Sequence, residues 1–169
     1  MSIKNILTLQ KELGNLVSVC ADKEDQDAFS VGYIVELSDS LVLIDSYDGE
    51  GCRDGGKLRK VDDVIVVETN GQYEQKIASL IDSSNDENKN STVYKPNIRS
   101  LIDAVNDLKS EFVKVDIYFG LPEFKYSGKI LDVKDGVIHL EKVDEENEDD
   151  GEAFLILDLV QGIDYFHFK

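Results

Sequence analysis

The sequence predicts a mainly β protein with helices, built as two tandem helix-plus-five-stranded small β-barrels, an internal duplication. Three observations carry this prediction. The chain matches itself when shifted by 96 residues; each matched half opens with an amphipathic helical pattern; and each helix is followed by short runs rich in β-branched residues, separated by turn residues. The copies occupy residues 1–69 and 97–169, and residues 70–96 form a short helix and a polar linker.

The repeat comes first, because a missed repeat misassigns the whole fold. Residues 31–45 fall on 127–141 without a gap, placing Gly32 on Gly128, Ile34 on Ile130, Asp39 on Asp135 and Ile44 on Leu140. Downstream, Gly55 meets Gly151, Leu58 meets Phe154, Asp62 meets Asp158 and Val67 meets Ile163. Upstream, the same shift sets Leu16, Val17 and Val19 on Phe112, Val113 and Val115.

The first helix runs from about Ser2 to Gly14, with Ser2 as N-cap and Gly14 as stop. In the second, Ile98, Leu101, Ile102, Val105, Leu108 and Phe112 keep the spacing of one buried face, and Pro96 precedes them. Strands are expected near 17–21, 29–37, 41–47, 57–60 and 64–68, and near 113–119, 125–133, 137–143, 153–157 and 163–168. Ser38-Asp39-Ser40 and Lys134-Asp135-Gly136 read as hairpin turns, and acidic loops 48–56 and 144–152 join the third and fourth strands. One helix and five strands in some 70 residues is too little for a sandwich, so a bent sheet closing into a barrel fits. In the linker, Tyr73, Ile77, Leu80 and Ile81 suggest a short helix, and 82–92 has almost nothing to bury and is expected to be flexible. The terminal run Ile163-Asp-Tyr165-Phe166-His-Phe168 is apolar enough to be expected packed, against the first copy or across a homodimer.

This arrangement resembles the Sm-like fold, through Gly32-x-Ile34-x-x-Leu37 followed by Leu41-x-Leu43, which is similar to the first Sm motif. The resemblance implies a small barrel and, in family members that bind RNA, an asparagine in strand three and an arginine–glycine pair later. Here the asparagine positions hold Val42 and Ile138, and Leu58-Arg59 is followed by Lys60. The fold carries over; the RNA-contacting residues do not, apart from an isolated Arg59.

Charge separates the function classes. The formal net charge is −17, with net −7 in residues 1–69, −1 in the linker and −9 in 97–169, so both halves are acidic. Such a field repels polyanions, which makes nucleic acid an unfavoured partner and a basic protein a complementary one. Asp48-Gly-Glu-Gly-Cys-Arg-Asp-Gly-Gly-Lys57 lacks the Lys-Ser or Lys-Thr and helix that a phosphate loop needs, and reads as a flexible turn. Asp45, Asp48, Glu50 and residues 144–152 could offer oxygens to a hard cation but do not match the EF-hand spacing, and His139 and His167 have no neighbouring cysteine. Asp62 and Asp158 read as turn caps, and no nucleophile motif appears. Cys20 and Cys52 are expected as free thiols. With no run of 18 apolar residues and no signal-like N-terminus, the expected location is the cytoplasm, with no membrane contact.

The expectation is therefore a non-enzymatic acidic binding or scaffold protein acting through protein–protein contacts, with no catalytic residues, cofactor or metal. Its partner is a protein, basic if chosen by charge, and homo-oligomerisation is a second way to cover barrel edges. The alternatives are an acidic inhibitor or immunity-like protein for a basic nuclease or toxin, and an Sm-like nucleic-acid binder.

Overall fold

The structure, a computed structural model, describes residues 1–23, 25, 27–87, 89–119 and 124–169; of the expected flexible stretch 82–92, residue 88 lies outside them. In chain order the elements are α1 (Ile3–Leu13), β1 (Leu16–Cys20), β2 (Phe29–Leu37), β3 (Leu41–Tyr47), β4 (Arg53–Lys60), a 3-10 turn (Val61–Asp63), β5 (Val66–Thr69), α2 (Gln72–Ser83), α3 (Leu101–Ser110), β6 (Lys114–Tyr118), β7 (Lys125–Lys134), β8 (Val137–Val143), β9 (Asp149–Ile156), a second 3-10 turn (Leu157–Leu159) and β10 (Gly162–Tyr165). The helix α1 has the anticipated caps. Ser2 Oγ accepts from Asn5 N–H, and Gly14 takes the left-handed conformation at φ 65°.

The mainly β class holds, but the two separate barrels do not form. The ten strands of the described residues join one open antiparallel sheet in the order β5-β1-β2-β3-β4-β10-β6-β7-β8-β9. Closing the first barrel would need β4 to turn back toward β5. Instead β4 pairs β10, with Arg59 opposite Gly162, Leu58 opposite Ile163, Lys57 opposite Asp164 and Gly56 opposite Tyr165. A strand has two edges; those of β4 are filled by β3 and β10, so the halves fuse into one sheet whose ends are β5 and β9. The C-terminal strand thus packs against the first half, as its apolar composition suggested, and both Ile163 and Tyr165 are buried.

The strand order of the first half, β5-β1-β2-β3-β4, recurs in the second as β10-β6-β7-β8-β9. From β2 onward the shift of 96 keeps the register: Ile34 opposes Ile44 as Ile130 opposes Leu140, and each strand breaks register immediately afterwards. Gly32 and Gly128 are strand residues at equivalent places, and a methyl group on either would overlap the carbonyl of Asp45 or Glu141 on the next strand. Upstream the shift is 98. Val17 opposes Gly32 whereas Val115, not Val113, opposes Gly128. The loop from β1 to β2 is two residues longer than its counterpart, and apolar patterns tolerate such a slip without notice. For the same reason α3 starts later than expected. Ser100 caps it by accepting from Asp103 N–H, Ile98 precedes it, and Phe112 falls beyond it at φ 54° and 82% exposed rather than on its buried face.

Helices cover the sheet selectively. Leu7 of α1 packs with Val17, Val19, Ile34, Val42 and Ile44, and α3 brings Ala104, Val105 and Leu108 onto Val115, Ile117, Ile138 and Leu140. On the other face of the first half, α2 seats Ile77 against Leu16 and Val31, and Glu74 accepts a hydrogen bond from Ser18 Oγ. This explains why β1 is buried on both faces, whereas β6, which has no such helix, alternates Lys-Val-Asp-Ile-Tyr.

The stretch after α2 is tied down rather than loose. Arg53 receives it: its backbone N–H donates to Asp86 Oδ2 at 2.8 Å and its guanidinium donates to the carbonyl of Ser91. Val93 is buried, and Thr92 and Tyr94 bond Lys169 and His167 backbone to backbone.

Candidate functional site

Two places gather polar chemistry or open surface: the seam between β4 and β10, and the free end of the sheet at β9. At the seam Arg59 Nη1 donates to Asp164 Oδ1 at 2.6 Å, and its guanidinium carbon lies 5.7 Å from the ring centroid of Tyr118. Lys57 Nζ pairs with Asp54 Oδ2 at 2.7 Å. Arg59, Asp164, Tyr118 and Lys57 line a cavity of about 240 Å³ that also touches Asp22, Phe29, Gln161 and Gly162. Burial, reinforced by Asp164 and Asp116, pushes the Tyr118 hydroxyl well above its usual range, so it remains protonated. The cations facing this cavity are already ion-paired, so the seam is a specific joint rather than an anion cradle.

Gly55 and Gly56 make that joint sterically possible. Gly55 adopts φ 96° and passes under the Tyr165 carbonyl, and a Cβ on Gly56 would lie 2.6 Å from Tyr165 Oη. Tyr165 Oη donates to the carbonyl of Tyr94 at 2.5 Å, and burial raises its pKa. The glycine-rich stretch is thus partly strand, and two of its glycines answer to close packing rather than to flexibility.

The free end contrasts with the seam. On the face of the first half away from α1, Leu43 and Leu58 are fully buried and belong to the same apolar cluster as Val160, Ile163 and Tyr165. Their counterparts are His139 and Phe154, which oppose each other on β8 and β9, with rings stacked at 4.5 Å and 14°. Phe154 is 65% exposed, and Ile156, two residues along the same face, is also exposed. Among the described residues no strand pairs β9 on its outer side.

The acids considered for a cation have other duties. Asp45 is buried and paired with Arg53 Nη2 at 2.9 Å; burial nevertheless dominates and raises its pKa. Asp48 accepts from the backbone N–H groups of Glu50 and Cys52, and Asp144, its counterpart, accepts from that of Glu148, so both close turns. Among the described residues no group of three or more His, Cys, Asp and Glu side chains converges on a point that could hold a metal. His167 Nε2 lies 3.3 Å from Glu111 Oε2, far in sequence from His139 on β8. Asp62 and Asp158 occupy matching places in the two 3-10 turns. Val42 and Ile138, at the asparagine positions of the Sm-like resemblance, are fully buried in the cores, and Arg59 is committed to Asp164. Both cysteines are unbridged, Cys20 buried and Cys52 partly so. No described helix is long and apolar enough to cross a membrane.

Sequence reasoning missed Arg53 and the seam. Arg53 has no arginine counterpart, since Asp149 stands at the matching position, and that asymmetry was available as a signal. Comparison with known proteins finds no matching family model, curated protein or solved structure.

Proposed function

We propose that the protein is a non-enzymatic binding or scaffold protein that acts through protein–protein contacts, with the β9 end of the sheet as its contact surface. The observation that carries this reading is the unequal fate of equivalent positions: Leu58 is covered by the second half, while its counterpart Phe154 faces outward, with Ile156 exposed beside it. An open strand edge bearing exposed apolar side chains is a template that proteins normally cover, and a partner would cover it. The acidic character of both halves favours a basic partner. An acidic inhibitor of a basic enzyme is one form of the same reading. The likeness to Sm-like proteins belongs to this proposal as a likeness of strand pattern. It lends little support to RNA binding, because the positions that would contact RNA are buried or ion-paired.

The test is affinity capture from the native host with the full chain and with Phe154→Asp, a change at an exposed position that should leave the melting temperature within a degree or two. A protein retained by the first and lost by the second supports the reading. Identical capture by both contradicts it.

A further inference from the structure

We propose that β9 accepts an extended basic segment of another protein as an added, antiparallel strand, and that a second copy of this chain does not fit there. The inference rests on the binding reading above and names the chemistry of the partner.

The seam supplies the template. At β4, the strand equivalent to β9, the adjoining strand sets Ile163 opposite Leu58 and Tyr165 opposite Gly56 on one face, and Asp164 opposite Lys57 on the other. Shifting by 96 places Phe154, Glu152 and Ala153 at those positions, with Leu155 in place of Arg59.

A second copy would offer β5, the counterpart of β10. Glu68 would then stand where Asp164 stands, opposite Ala153 and beside Leu155. The Arg59–Asp164 ion pair that fixes the internal seam has no equivalent, and a carboxylate would be pressed onto apolar side chains. Each chain also carries a formal charge of −17, which opposes self-association. The edge is therefore set against copies of itself, in the way that missing complementary charges reject a wrong partner.

A basic strand meets the opposite situation. Residues 152, 154 and 156 share one face of β9, reading Glu, Phe, Ile, and beyond Glu152 a register break at Gly151 (φ 83°) interrupts the alternation before Asp150 and Asp149. Glu152 and Asp150 approach His139 at 3.1 Å and Lys142 at 2.7 Å, both on the β8 side, and their carboxylates remain 58% and 53% exposed. The hairpin before them adds Asp144, Glu145, Glu146 and Glu148. An incoming antiparallel strand fits when it carries an apolar residue opposite Phe154, Lys or Arg two residues later opposite Glu152, and a further cation beyond that, toward the acidic end of β9 and its hairpin. Backbone pairing would supply affinity and these alternate side chains selectivity.

The test uses the full-length protein and two synthetic peptides copied from residues 160–167, the segment that contains β10. Both carry Asp164→Val, which removes the carboxylate opposite Ala153; one adds Tyr165→Lys and His167→Lys, the other Tyr165→Glu and His167→Glu. By register, position 165 faces Glu152, and position 167 lies beyond it, toward the acidic end of β9. Titration is followed by amide chemical shifts and hydrogen exchange. The lysine peptide should shift and protect amides of 149–156, bind at least about tenfold more tightly than the glutamate peptide, and lose that advantage in high salt. Phe154→Asp should abolish the effect. Equal binding, no binding, or shifts confined elsewhere would overturn the inference. So would concentration-dependent self-association of the protein that Phe154→Asp abolishes, because the occupant would then be a second copy. If a host protein still depends on Phe154 while the lysine peptide fails, the contact-surface reading stands and only the basic-strand inference falls.

Discussion

Replacing Gly56 by alanine should break the seam, and the structure sets the size of the effect. The new methyl would sit 2.6 Å from Tyr165 Oη and 2.8 Å from Cε1, well inside contact distance. Neither the β4 backbone, held on both sides, nor the Tyr165 ring, anchored to the Tyr94 carbonyl, can yield by a small shift. The ring must leave its buried site. That forfeits about 1.5–3 kcal/mol of burial and about 0.5–1.5 kcal/mol from the hydrogen bond. The expected cost is then about 3 kcal/mol, a large part of the roughly 5–15 kcal/mol that holds a typical domain. Tyr165→Leu alone keeps an apolar side chain but strands the Tyr94 carbonyl, for about 1–2 kcal/mol. In that background Gly56→Ala meets no ring and should cost less than about 1 kcal/mol, giving a coupling of about 2 kcal/mol. Urea unfolding of the four proteins, followed by circular dichroism, measures this directly. If Gly56→Ala costs the same with and without Tyr165, to within about 0.5 kcal/mol, the ring is not over Gly56 and the reasoning fails.

Three further outcomes are expected. Deleting residues 163–169 removes the buried Ile163 and Tyr165 and uncovers Leu58, so it should cost several kcal/mol, about 1.5–3 for each large side chain; an unchanged melting temperature with a monodisperse product would contradict this. Glu111 is held below its ordinary pKa of 4.5 first by Lys169 Nζ, at 2.8 Å, and then by His167. A lowered folded pKa gives stability present above 4.5 and lost as pH falls through the folded value. Protection of the Lys169 amide, which donates to the Thr92 carbonyl at 2.9 Å, should therefore fall on acidification, and Glu111→Gln should be less protected at neutral pH and flatter across that window. Finally, single-stranded RNA and duplex DNA should not bind detectably at physiological salt, since the seam cations are already paired; sub-micromolar affinity in a titration would refute this.

Local features were the most readable from sequence. Ser2 and Gly14 bracket α1 because capping is decided within a few residues, and Lys134-Asp135-Gly136 gives its hairpin because Asp135 and Gly136 both take positive φ. The internal match located β2 to β5 and their counterparts, since side-chain alternation and the close approach at Gly32 and Gly128 constrain register on both sides. The apolar spacing continues ahead of α3 through Ile98, so the pattern does not mark its start, which Ser100 and Asp103 set by forming the cap. Closure was beyond reach for a different reason. Alternation says which face a strand buries but not which edge it pairs, so a barrel and a fused sheet share one pattern. The clue that favoured fusion was chemical: Lys57, Arg59 and Lys60 on one strand and Asp164 on another, with no such cations on β9. The open end at β9 emerged only once the seam showed what a covered β4 looks like.

Residue-resolved amide hydrogen exchange on the intact chain tests the central claim, a single sheet fused through β4 and β10 and open at β9. The outer edge of β4 is hydrogen-bonded to β10, and the outer edge of β9 pairs with no strand among the described residues. The account predicts slow exchange across Gly56–Arg59 and Gly162–Tyr165, near the global unfolding limit, with alternate amides of Asp149–Ile156 exchanging orders of magnitude faster. Equal and rapid exchange along β4 and β9 would contradict it, because the halves would then be separate units with two open edges.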